Sequence, residues 1–567
     1  MDDGSPALLL GPMLRHVSET SAAIWVETSA PAEVTVTVDA EGGPVTARAR
    51  TFTVHGGHYA VCELTGLPPG TSAPYTVELD GSRAWPEAGA ATPPSLLRTL
   101  SPGGTRLAFG SCRTTTGHDA EHTRRYGVDM LRAYALRLAS GEAEAPHLLL
   151  MIGDQVYADE LQPEMLAYIA EHRPPHQGEW APDDEIVEWD EYVHLYRLAW
   201  SDPWVRWLLS TVPSLMMFDD HDVRDDWNTS AAWREKMAAQ PWWRDRITHG
   251  LGTYWLYQHL GNMSPEERAV DPVYTALTGA DGDAGAALDD FAWEADQSPE
   301  RYRWSYALDL PSGGGGSRLV MLDTRCGRVL SPESARTMHV PADQEWLEKR
   351  LTGGVDHVLI ATTLPYLLPT GIHHLEAWNE AVCRGAWGER WRRIGEKLRQ
   401  DVDLEHWAAF QASFRQVGQA VRELAEGSRG EPPATVLFLS GDVHFSYVAD
   451  ARARLEGPRR TAPGPEHSRI AQIVCSPMRN PLSPKFQAMA KFAGTGLVGL
   501  IGRMMTRSSV PGSPLEWRIT RGPWFDNSLA TLELDGHRAR VRWETADQPA
   551  DDTAPVLREL GRHVLEG

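Results

Sequence analysis

The stretch LLLMIGDQVYADE, residues 148–160, joins an apolar segment to a polar turn. Leu148 to Ile152 form a short continuous apolar run, which is typical of a strand buried on both faces of a sheet. The run breaks at Gly153 and is followed by Asp154 and Tyr157. We therefore expect a core strand whose carboxyl end presents a carboxylate and a phenol to the same region.

Further apolar runs surround this one from residue 105 onward, with helical stretches between them. The predicted strands are TRLAFGS (105–111), HLLLMIG (147–153), PSLMMFD (213–219), RLVMLDT (318–324), HVLIATT (357–363), ATVLFLSGD (434–442) and RIAQIVC (469–475). The alternation predicts an α/β layered domain with helices over the sheet faces. LATLELDGHRARVRW (529–543) predicts a hairpin that turns at Asp535-Gly536.

Two long tryptophan-containing stretches, about 160–300 and 376–426, fit helices that cover or extend the sheet. We interpret their tryptophans as packing residues rather than ligand contacts. GGGG (313–316) lies between two predicted strands and is interpreted as a loose hairpin loop.

Residues 1–100 have an all-β pattern. Val34, Val36 and Val38 alternate with threonines, and 62–81 reads as a strand, a Pro-Gly turn and a second strand. This pattern looks like a fibronectin type III or immunoglobulin-like sandwich. Residues 92–104 contain prolines and glycines with little to bury, and are predicted to be a linker. The expected domains are 1–100 and 101–567.

Composition excludes some classes of function. The formal net charge of −23 argues against a protein that wraps nucleic acid. The cysteines are few and scattered, which fits a reducing compartment better than a disulfide framework. The N-terminus has no basic export signal, and the apolar run 492–502 is too short to span a bilayer. We expect a cytoplasmic protein without a transmembrane segment.

Polar residues follow four of the predicted strands. They are Cys112 and Arg113, Asp154 and Tyr157, Asp219 to Asp222 with His221 among them, and Asp442 with His444. Each has an ordinary alternative: Asp154 as a helix N-cap, for example, or Cys112 as a small buried apolar residue. Their joint position is better explained by convergence, since ligands bind beyond the carboxyl ends of strands in α/β sheets. If its strand continues, Asp442 and His444 share one face.

Clustered carboxylates repel one another unless cations lie among them. A phenol needs a strongly Lewis-acidic metal to ionise near neutral pH. A thiolate and a phenolate with carboxylate and imidazole therefore suit Fe³⁺, and the remaining carboxylates suit Ca²⁺. Other divalent metals stay open as alternatives.

The motifs FGSC, GDQVYAD, DDHDVRDDW, LDTR and SGDVHFS, in this order, closely resemble those of the alkaline phosphatase D (PhoD-type) metallophosphatases. The resemblance covers about residues 1–545. It implies a metallophosphatase-like β-sandwich core flanked by helices and preceded by a small β-sandwich domain. It also implies a phosphatase with an iron and calcium centre, in a family of which some members hydrolyse phosphodiesters.

The resemblance also implies roles for individual residues. Cys112, Asp154 and Tyr157 would bind iron, with Asp154 bridging to calcium, and the other metal ligands would be Asp220, Asp442 and His444. His221 would lie beside the scissile phosphate. Relatives often have an amide behind the third motif, whereas here Asp225 and Asp226 come first and Asn228 later. Asp225 is thus the candidate outer calcium ligand.

The expected reaction is hydrolysis of small phosphate monoesters by a metal-bound hydroxide or oxide. His221 is expected either to protonate the leaving alcohol or to stabilise the equatorial phosphate oxygens. Arg113 and Arg325 are candidate phosphate clamps, although a structural ion pair explains Arg325 equally well. The second hypothesis is a phosphodiesterase, including one acting on phospholipid through contact of 485–507 with a membrane surface; packing of this segment against the sheet is the preferred interpretation. The third is a non-catalytic metal-bound scaffold, which the presence of His221 argues against.

Overall fold

The computed structural model of the chain describes residues 5–173, 181–331, 335–454, 468–493, 496–506, 509–548 and 554–566. In these ranges the strands are β1 (Leu8–Val17), β2 (Ser21–Thr28), β3 (Glu33–Ala40), β4 (Gly43–Arg50), β5 (Phe52–Val54), β6 (Gly57–Thr65), β7 (Ser72–Leu79), β8 (Ser82–Trp85), β9 (Leu96–Arg98), β10 (Thr105–Gly110), β11 (Leu148–Ile152), β12 (Ser214–Met217), β13 (Tyr306–Leu310), β14 (Ser317–Leu322), β15 (His357–Thr362), β16 (Thr435–Ser440), β17 (Ser446–Ala453), β18 (Arg469–Val474), β19 (Leu515–Trp524), β20 (Leu529–Asp535), β21 (Arg538–Asp547) and β22 (Val556–Glu566).

The α-helices of the same ranges are α1 (Ala120–Tyr126), α2 (Met130–Ala139), α3 (Pro163–His172), α4 (Trp189–Trp200), α5 (Pro203–Thr211), α6 (Ala231–Ala238), α7 (Trp243–Tyr254), α8 (Pro265–Val270), α9 (Pro272–Thr278), α10 (Gly285–Gln297), α11 (Pro341–Arg350), α12 (Thr370–Cys383), α13 (Glu389–Asp401), α14 (Gln411–Ala425), α15 (Pro484–Ala493) and α16 (Gly496–Thr506). The predicted α/β class, with an all-β region at the N-terminal side, is confirmed.

The N-terminal region consists of two sheets, with strand orders β1-β2-β6-β5 and β4-β3-β7-β8. Val34, Val36 and Val38 of β3 are fully buried, as their alternation predicted. The prediction of a linker with little to bury at 92–104 is wrong, because this segment contains β9, which pairs with β7. Leu97 and Leu100 are buried there, since they close the edge of the sandwich.

Two larger sheets form the core of the remaining chain. One has the order β12-β11-β10-β20-β21-β22 and the other β13-β14-β15-β16-β18-β17-β19. Strands β10, β11 and β12 are parallel, as are β14, β15, β16 and β18. Their carboxyl ends therefore bring loops from distant parts of the sequence to one edge of each sheet.

Alternation along β14, β15 and β16 explains how the two sheets pack. Leu319, Leu359 and Leu437 belong to the apolar cluster that also contains Leu107 and Leu150 of the first sheet. The neighbouring residues of the same strands point to the opposite face, where they pack with α14 in a second cluster. Because successive side chains of a strand point to opposite faces, one sheet serves both a sandwich core and a helix-covered layer.

All seven strands expected after residue 105 are present, and so is the hairpin of β20 and β21. GGGG (313–316) lies between the antiparallel strands β13 and β14, as expected for a hairpin loop. The stretches 160–300 and 376–426 are mainly helical. Most tryptophans are packing residues, including Trp200, Trp227 and Trp255, whereas Trp387 and Trp391 are partly exposed.

The described part of 485–507 contains α15 and α16, which both contact α12. Ala490 of α15 also packs against the second apolar cluster, which includes residues of β15 and β16. Large apolar side chains on this helix pair are exposed, with Phe492 64% and Met504 70% accessible to solvent. No helix in the described ranges is long and apolar enough to cross a membrane.

Candidate active site

The loops after β10, β11, β12 and β16 converge, as their polar sequences predicted. Asp154, Asp219, Asp220 and Asp442 each place one carboxylate oxygen so that all four atoms lie within 4.8 Å of one another. Asp219, Asp220 and Asp154 are almost completely buried. A buried group of four carboxylates needs cations to offset its charge. We refer to these four residues as the carboxylate cluster.

Several site residues have a left-handed backbone conformation that residues other than glycine rarely adopt. The φ angles are +57° at Cys112, +51° at Asp154, +63° at Asp442 and +55° at His444. Such conformations cost of order 1–3 kcal/mol each and concentrate at functional sites. The expectation that Asp442 and His444 share the face of a continuing strand is wrong, because β16 ends at Ser440 and both residues lie in the following turn.

Two glycines allow the loops to approach closely. A Cβ atom at Gly441 would lie 1.9 Å from the Ser111 hydroxyl, and a Cβ atom at Gly153 would lie 2.9 Å from the Cβ of Asp219. Neither position therefore has room for a side chain. In two of the motifs the residue before the aspartate is a glycine, Gly153 or Gly441. Because glycine has no side chain, the loops can approach closely enough for Asp154 and Asp442 to join the cluster.

Asp222 fixes the same loops through hydrogen bonds. Its Oδ2 accepts from the backbone N–H of Asp154 at 3.1 Å and of Asp219 at 2.8 Å, and its Oδ1 accepts from Gln258 at 3.1 Å. Burial raises the pKa of Asp222 to about 7. Asp222 is therefore a positioning residue that lies behind the cluster.

Cys112 and Tyr157 lie next to the carboxylates. The Cys112 Sγ is 3.3 Å from Oδ2 of Asp154. Burial and the negative charge of Asp442 raise the pKa of the Cys112 thiol to about 12. Burial, together with the negative charges of Cys112 and Asp154, raises the pKa of Tyr157 well above its usual value, although Asn480 opposes this. Neither group would ionise here near neutral pH without a bound cation.

The donor set fits metal ions. Asp154 Oδ1, the Tyr157 hydroxyl and Asp219 Oδ2 are buried and make no hydrogen bond within the described part of the chain. Burial, followed by the charges of Cys112 and Asp219, raises the pKa of Asp154 well above its usual value. Buried polar atoms without partners are uncommon and costly. Soft sulfur, phenolic oxygen and carboxylate oxygens in contact suit Fe³⁺ with a neighbouring hard cation.

Arg325 lies within the cluster instead of above it. Its guanidinium is fully buried and forms ion pairs with Asp219, with Asp220 at 3.2 Å and with Glu405. Asp442 is 3.6 Å away. With every side of the fork facing a carboxylate, the structural ion pair explains Arg325 and the phosphate clamp does not.

Arg113 also forms a buried structural contact. Its guanidinium makes a two-pronged pair with Asp129, at 2.7 Å for the closer contact, and donates to the Ala199 carbonyl at 2.8 Å. Both side chains of the pair are nearly inaccessible. The predicted clamp is therefore not supported, because all three guanidinium nitrogens of Arg113 make buried contacts within the protein.

His221 is oriented by contacts on two sides. Its Nδ1 lies 2.8 Å from Oδ1 of Asp159, and its ring lies on that of Tyr157 with centroids 4.5 Å apart. Burial lowers its pKa, but Asp159, Asp220 and Asp154 outweigh burial and raise the pKa of His221 well above 6.5. The side chain remains slightly accessible, so His221 lies at the rim of the cluster.

His444 is the opposite case. Burial lowers the pKa of this imidazole to about 4, so the ring is neutral, as a metal ligand must be. Its backbone N–H donates to the Ser476 hydroxyl, which in turn lies 3.3 Å from the Cys112 sulfur. The turn that carries His444 is thereby tied to the turn that carries Cys112.

The third motif places its acidic residues unevenly. The side chain of Asp225 is 63% exposed and lies 4.0 Å from Nε2 of His221, outside the carboxylate cluster. Asn228 is buried and donates to the Arg325 carbonyl at 3.2 Å, while its own Oδ1 has no partner among the described residues. The geometry thus favours Asn228 over Asp225 as the inward-facing oxygen donor.

Sequence reasoning did not identify four further residues around the site. His406 lies with Nε2 3.2 Å from Asp442 and Nδ1 2.7 Å from Glu376, and Glu405 pairs with Arg325 and Arg328. Asp159 contacts His221. The acidic run with a histidine at DLEHW (403–407) was the available signal, but it follows a helix and not a strand.

A family model described as PhoD-like phosphatase matches residues 124–278, which include the loops after β11 and β12. A solved structure titled "Structure of PhoD" superimposes on the chain with a TM-score of 0.58, covering 99% of this chain and 91% of that one at 13% identity. Residues 124–278 of this chain are therefore similar to the PhoD-like phosphatases. The chain as a whole shares the fold of the solved PhoD structure.

Other comparisons add little to the PhoD-type assignment. Residues 5–97 match a domain of unknown function, DUF7800. The type III pullulan hydrolase from Thermococcus kodakarensis has 9% identity and a TM-score of 0.14, covering 99% of this chain and 100% of that one. Amylomaltase from Corynebacterium glutamicum has 10% identity and a TM-score of 0.17, covering 88% and 90%. These scores are too low to indicate a common fold. No curated protein matches the sequence.

Proposed function

We propose that the chain hydrolyses phosphate monoesters at the carboxylate cluster, with Fe³⁺ and Ca²⁺ as its metals. The observation that carries this is the buried donor set, in which Asp154 Oδ1, the Tyr157 hydroxyl and Asp219 Oδ2 have no hydrogen-bond partner in the described ranges. Such atoms are explained by cations bound between them. The match of residues 124–278 to the PhoD-like phosphatase model supports the phosphatase reaction itself.

In this proposal Cys112, Asp154 and Tyr157 would hold the iron. Asp154 would also serve the calcium ion, Asp220, Asp442 and His444 would complete the ligand set, and Asn228 would supply an amide oxygen in place of Asp225. When bound, the ions would lower the pKa of water and neutralise phosphate charge. The remaining positive charge of the site comes from Arg325, which offsets the surplus carboxylates.

His221 has the position of a general acid, and the neighbouring carboxylates raise its pKa. Its Nε2 is the ring atom that is not paired with Asp159, and the side chain reaches the rim of the site. A protonated imidazole there can donate to the leaving alcohol oxygen. Asp159 keeps the ring in one orientation and favours its charged form.

The test is a hydrolysis screen on protein of measured metal content. Monoesters, diesters and nucleotides are compared for the wild type and for Asp154→Asn, with Asp225→Asn as the control variant. We expect monoester turnover that is lost with iron in Asp154→Asn and retained in Asp225→Asn. Turnover by metal-free protein, or full activity of Asp154→Asn, would exclude the carboxylate cluster as the site.

A second candidate function is hydrolysis of phosphodiesters, including phospholipids. The exposed apolar residues of α15 and α16 favour it, because Phe492 and Met504 lie on a helix pair that also carries Lys491 and Arg503. Amphipathic helices of this type bind anionic bilayers. Sedimentation with phosphatidylglycerol vesicles tests whether α15 and α16 bind a membrane surface. Protein that stays in the supernatant at low salt would exclude action on phospholipid through this helix pair.

We also propose the division into domains near residue 100 and a cytoplasmic location. The strand pattern supports the division, since the sheets built from β1–β9 contain no strand from beyond residue 98 in the described ranges. All five cysteines are free, which fits a reducing compartment. Expression of residues 101–567 alone tests the division into domains. Fractionation of cells tests the cytoplasmic location.

A further inference from the structure

A cavity of about 280 Å³ adjoins the candidate active site and shares Tyr157 with it. The loop Thr115–His118, which follows β10, forms one wall. The segment 160–165, which follows β11, and the helix α4 form the others. The loop after β11 carries Asp154 of the carboxylate cluster, and the loop after β10 carries Cys112, whose sulfur is 3.3 Å from Asp154. The cavity therefore lies beside the place proposed for the phosphate. We call it the side cavity.

The wall formed by the β10 loop offers hydrogen-bonding groups that the protein does not use. The hydroxyls of Thr115 and Thr116 are buried and have no hydrogen-bond partner among the described residues. Gln162 begins α3 without capping it by its side chain. Buried hydroxyls without partners are costly, and a ligand that supplies donors and acceptors removes this cost.

The backbone of the loop Thr115–His118 is held in place by a buried arginine. Arg479, which is fully buried, donates to the carbonyls of Thr116 at 2.8 Å and Gly117 at 2.6 Å. The same end of the loop is fixed by the pair of Arg113 with Asp129. The hydroxyls of Thr115 and Thr116 are therefore held in fixed positions. Arg113 and Arg479 serve to hold this loop, and for this reason they do not face the carboxylate cluster.

Charge around the side cavity excludes one class of ligand. None of the described residues that line it is a lysine or an arginine, whereas Glu160, Glu164 and Asp202 contribute carboxylates. His118 lies 3.5 Å from Asp202 and 3.3 Å from a guanidinium nitrogen of Arg479, so it brings no free cation to the wall. An anionic group would be repelled here.

The remaining wall is apolar. Met165, Leu195 and Leu198 also line the cavity. This combination of an apolar face and a face of hydroxyl groups matches the carbon skeleton and the hydroxyl groups of a small polyol. A purely aromatic or alkyl group would leave Thr115 and Thr116 unpaired.

We propose that the side cavity binds the alcohol part of the phosphate ester and selects uncharged, polyhydroxylated alcohols such as glycerol or a sugar. The proposal rests on the proposed function, because it assumes that the phosphate lies at the carboxylate cluster. It assigns substrate selection to Thr115, Thr116 and Glu160, none of which touches the cluster.

The test compares kcat/KM for glycerol 2-phosphate, phenyl phosphate and phosphoglycolate. Thr116→Val keeps the shape of the side chain and removes the hydroxyl. We expect it to lower the ratio of kcat/KM for glycerol 2-phosphate over phenyl phosphate roughly fivefold to thirtyfold, the effect of leaving a substrate hydroxyl unpaired. Thr278→Val, on the exposed end of α9, is the matched control and should leave the ratio unchanged. Glu160→Gln should raise kcat/KM for phosphoglycolate severalfold.

An unchanged ratio in Thr116→Val, or a higher kcat/KM for choline phosphate than for glycerol 2-phosphate, would overturn the proposal. If the wild type hydrolyses no ester, the proposed function fails, and the polyol site is then tested by binding alone. Saturation-transfer NMR with glycerol 2-phosphate should then give a signal with the wild type that weakens in Thr116→Val. No signal with the wild type would exclude the side cavity as a polyol site.

Discussion

Nδ1 of His221 lies 2.8 Å from Oδ1 of Asp159, and the imidazole ring rests on the ring of Tyr157. This pair joins the loop after β12 to the loop after β11, and it leaves one ring nitrogen of His221 directed away from Asp159. A histidine held in this way has one orientation and a raised pKa. Its role can therefore be separated from that of the metal ligands.

His221→Ala should reduce turnover by about 10²–10⁴-fold for esters of poor leaving groups. The loss should be much smaller for nitrophenyl phosphate, because nitrophenolate leaves without a proton. Metal content, measured by elemental analysis, should stay near that of the wild type. An equal loss with both kinds of ester would show that His221 stabilises charge in the transition state. Loss of metal would make it a ligand.

Tyr157→Phe should abolish the phenolate part of a visible absorption band. Thiolate and phenolate bound to Fe³⁺ give charge-transfer transitions, so the purified protein is expected to be coloured. An absorption spectrum of the wild type and the variant, with Tyr168→Phe on the surface helix α3 as control, measures this. A colourless and fully active protein containing only zinc or magnesium would contradict the iron assignment.

A calcium-selective chelator should remove activity before it removes iron. Carboxylate and amide oxygens exchange Ca²⁺ readily, whereas the sulfur of Cys112 and the phenol of Tyr157 would retain iron. Turnover should return when calcium alone is added back, and elemental analysis should show iron throughout. Activity that is indifferent to the chelator would speak against calcium.

Gly441→Ala should destabilise the site by about 1–3 kcal/mol, the usual effect of forcing extra volume into a packed region. The added Cβ would lie 1.9 Å from the Ser111 hydroxyl, so the turn carrying Asp442 must move. The midpoint temperature of thermal unfolding and the metal content should both be lower than in the wild type. Gly103→Ala, where a Cβ meets nothing closer than 3.8 Å, is the control and should match the wild type.

Three buried imidazoles should make the metal-loaded protein less stable as the pH falls below about 6.5. Burial lowers the pKa of His259 and His373 to about 3 and that of His339 to about 4. In the unfolded chain these residues protonate near 6.5, so stability present above that pH is lost progressively down to the folded pKa. Each contributes about 1.4 kcal/mol per pH unit in this window.

Thermal unfolding from pH 8 to pH 4.5 measures this dependence. His339→Gln removes one of the three groups and should make the decline shallower. His537→Gln is the control, because that imidazole is largely exposed at the β20–β21 turn. A midpoint that is independent of pH over this range would contradict the assignment of neutral buried imidazoles.

The strands were predictable because buried parallel strands leave a plain signal of short apolar runs, as at Leu148–Ile152. Convergence of the following residues was also predictable, since parallel strands end at a common edge. The roles of Arg113 and Arg325 were not, because sequence does not show that Asp129 and Asp219 are in contact with them. His406 was missed since its loop follows a helix, not a strand.

Strand β10, which leads to Cys112, lies in its sheet between β11 and β20. One edge of this central strand is thus completed by residues 529–535, which are made more than 400 positions later. During synthesis on the ribosome, the edge of β10 stays without its partner until β20 has emerged. The sheet that leads to Cys112 and Asp154 is therefore completed only after all the proposed metal ligands, the last of which is His444, have been made. This topology therefore creates a need for chaperones to protect the unpaired edge of β10 in the growing chain.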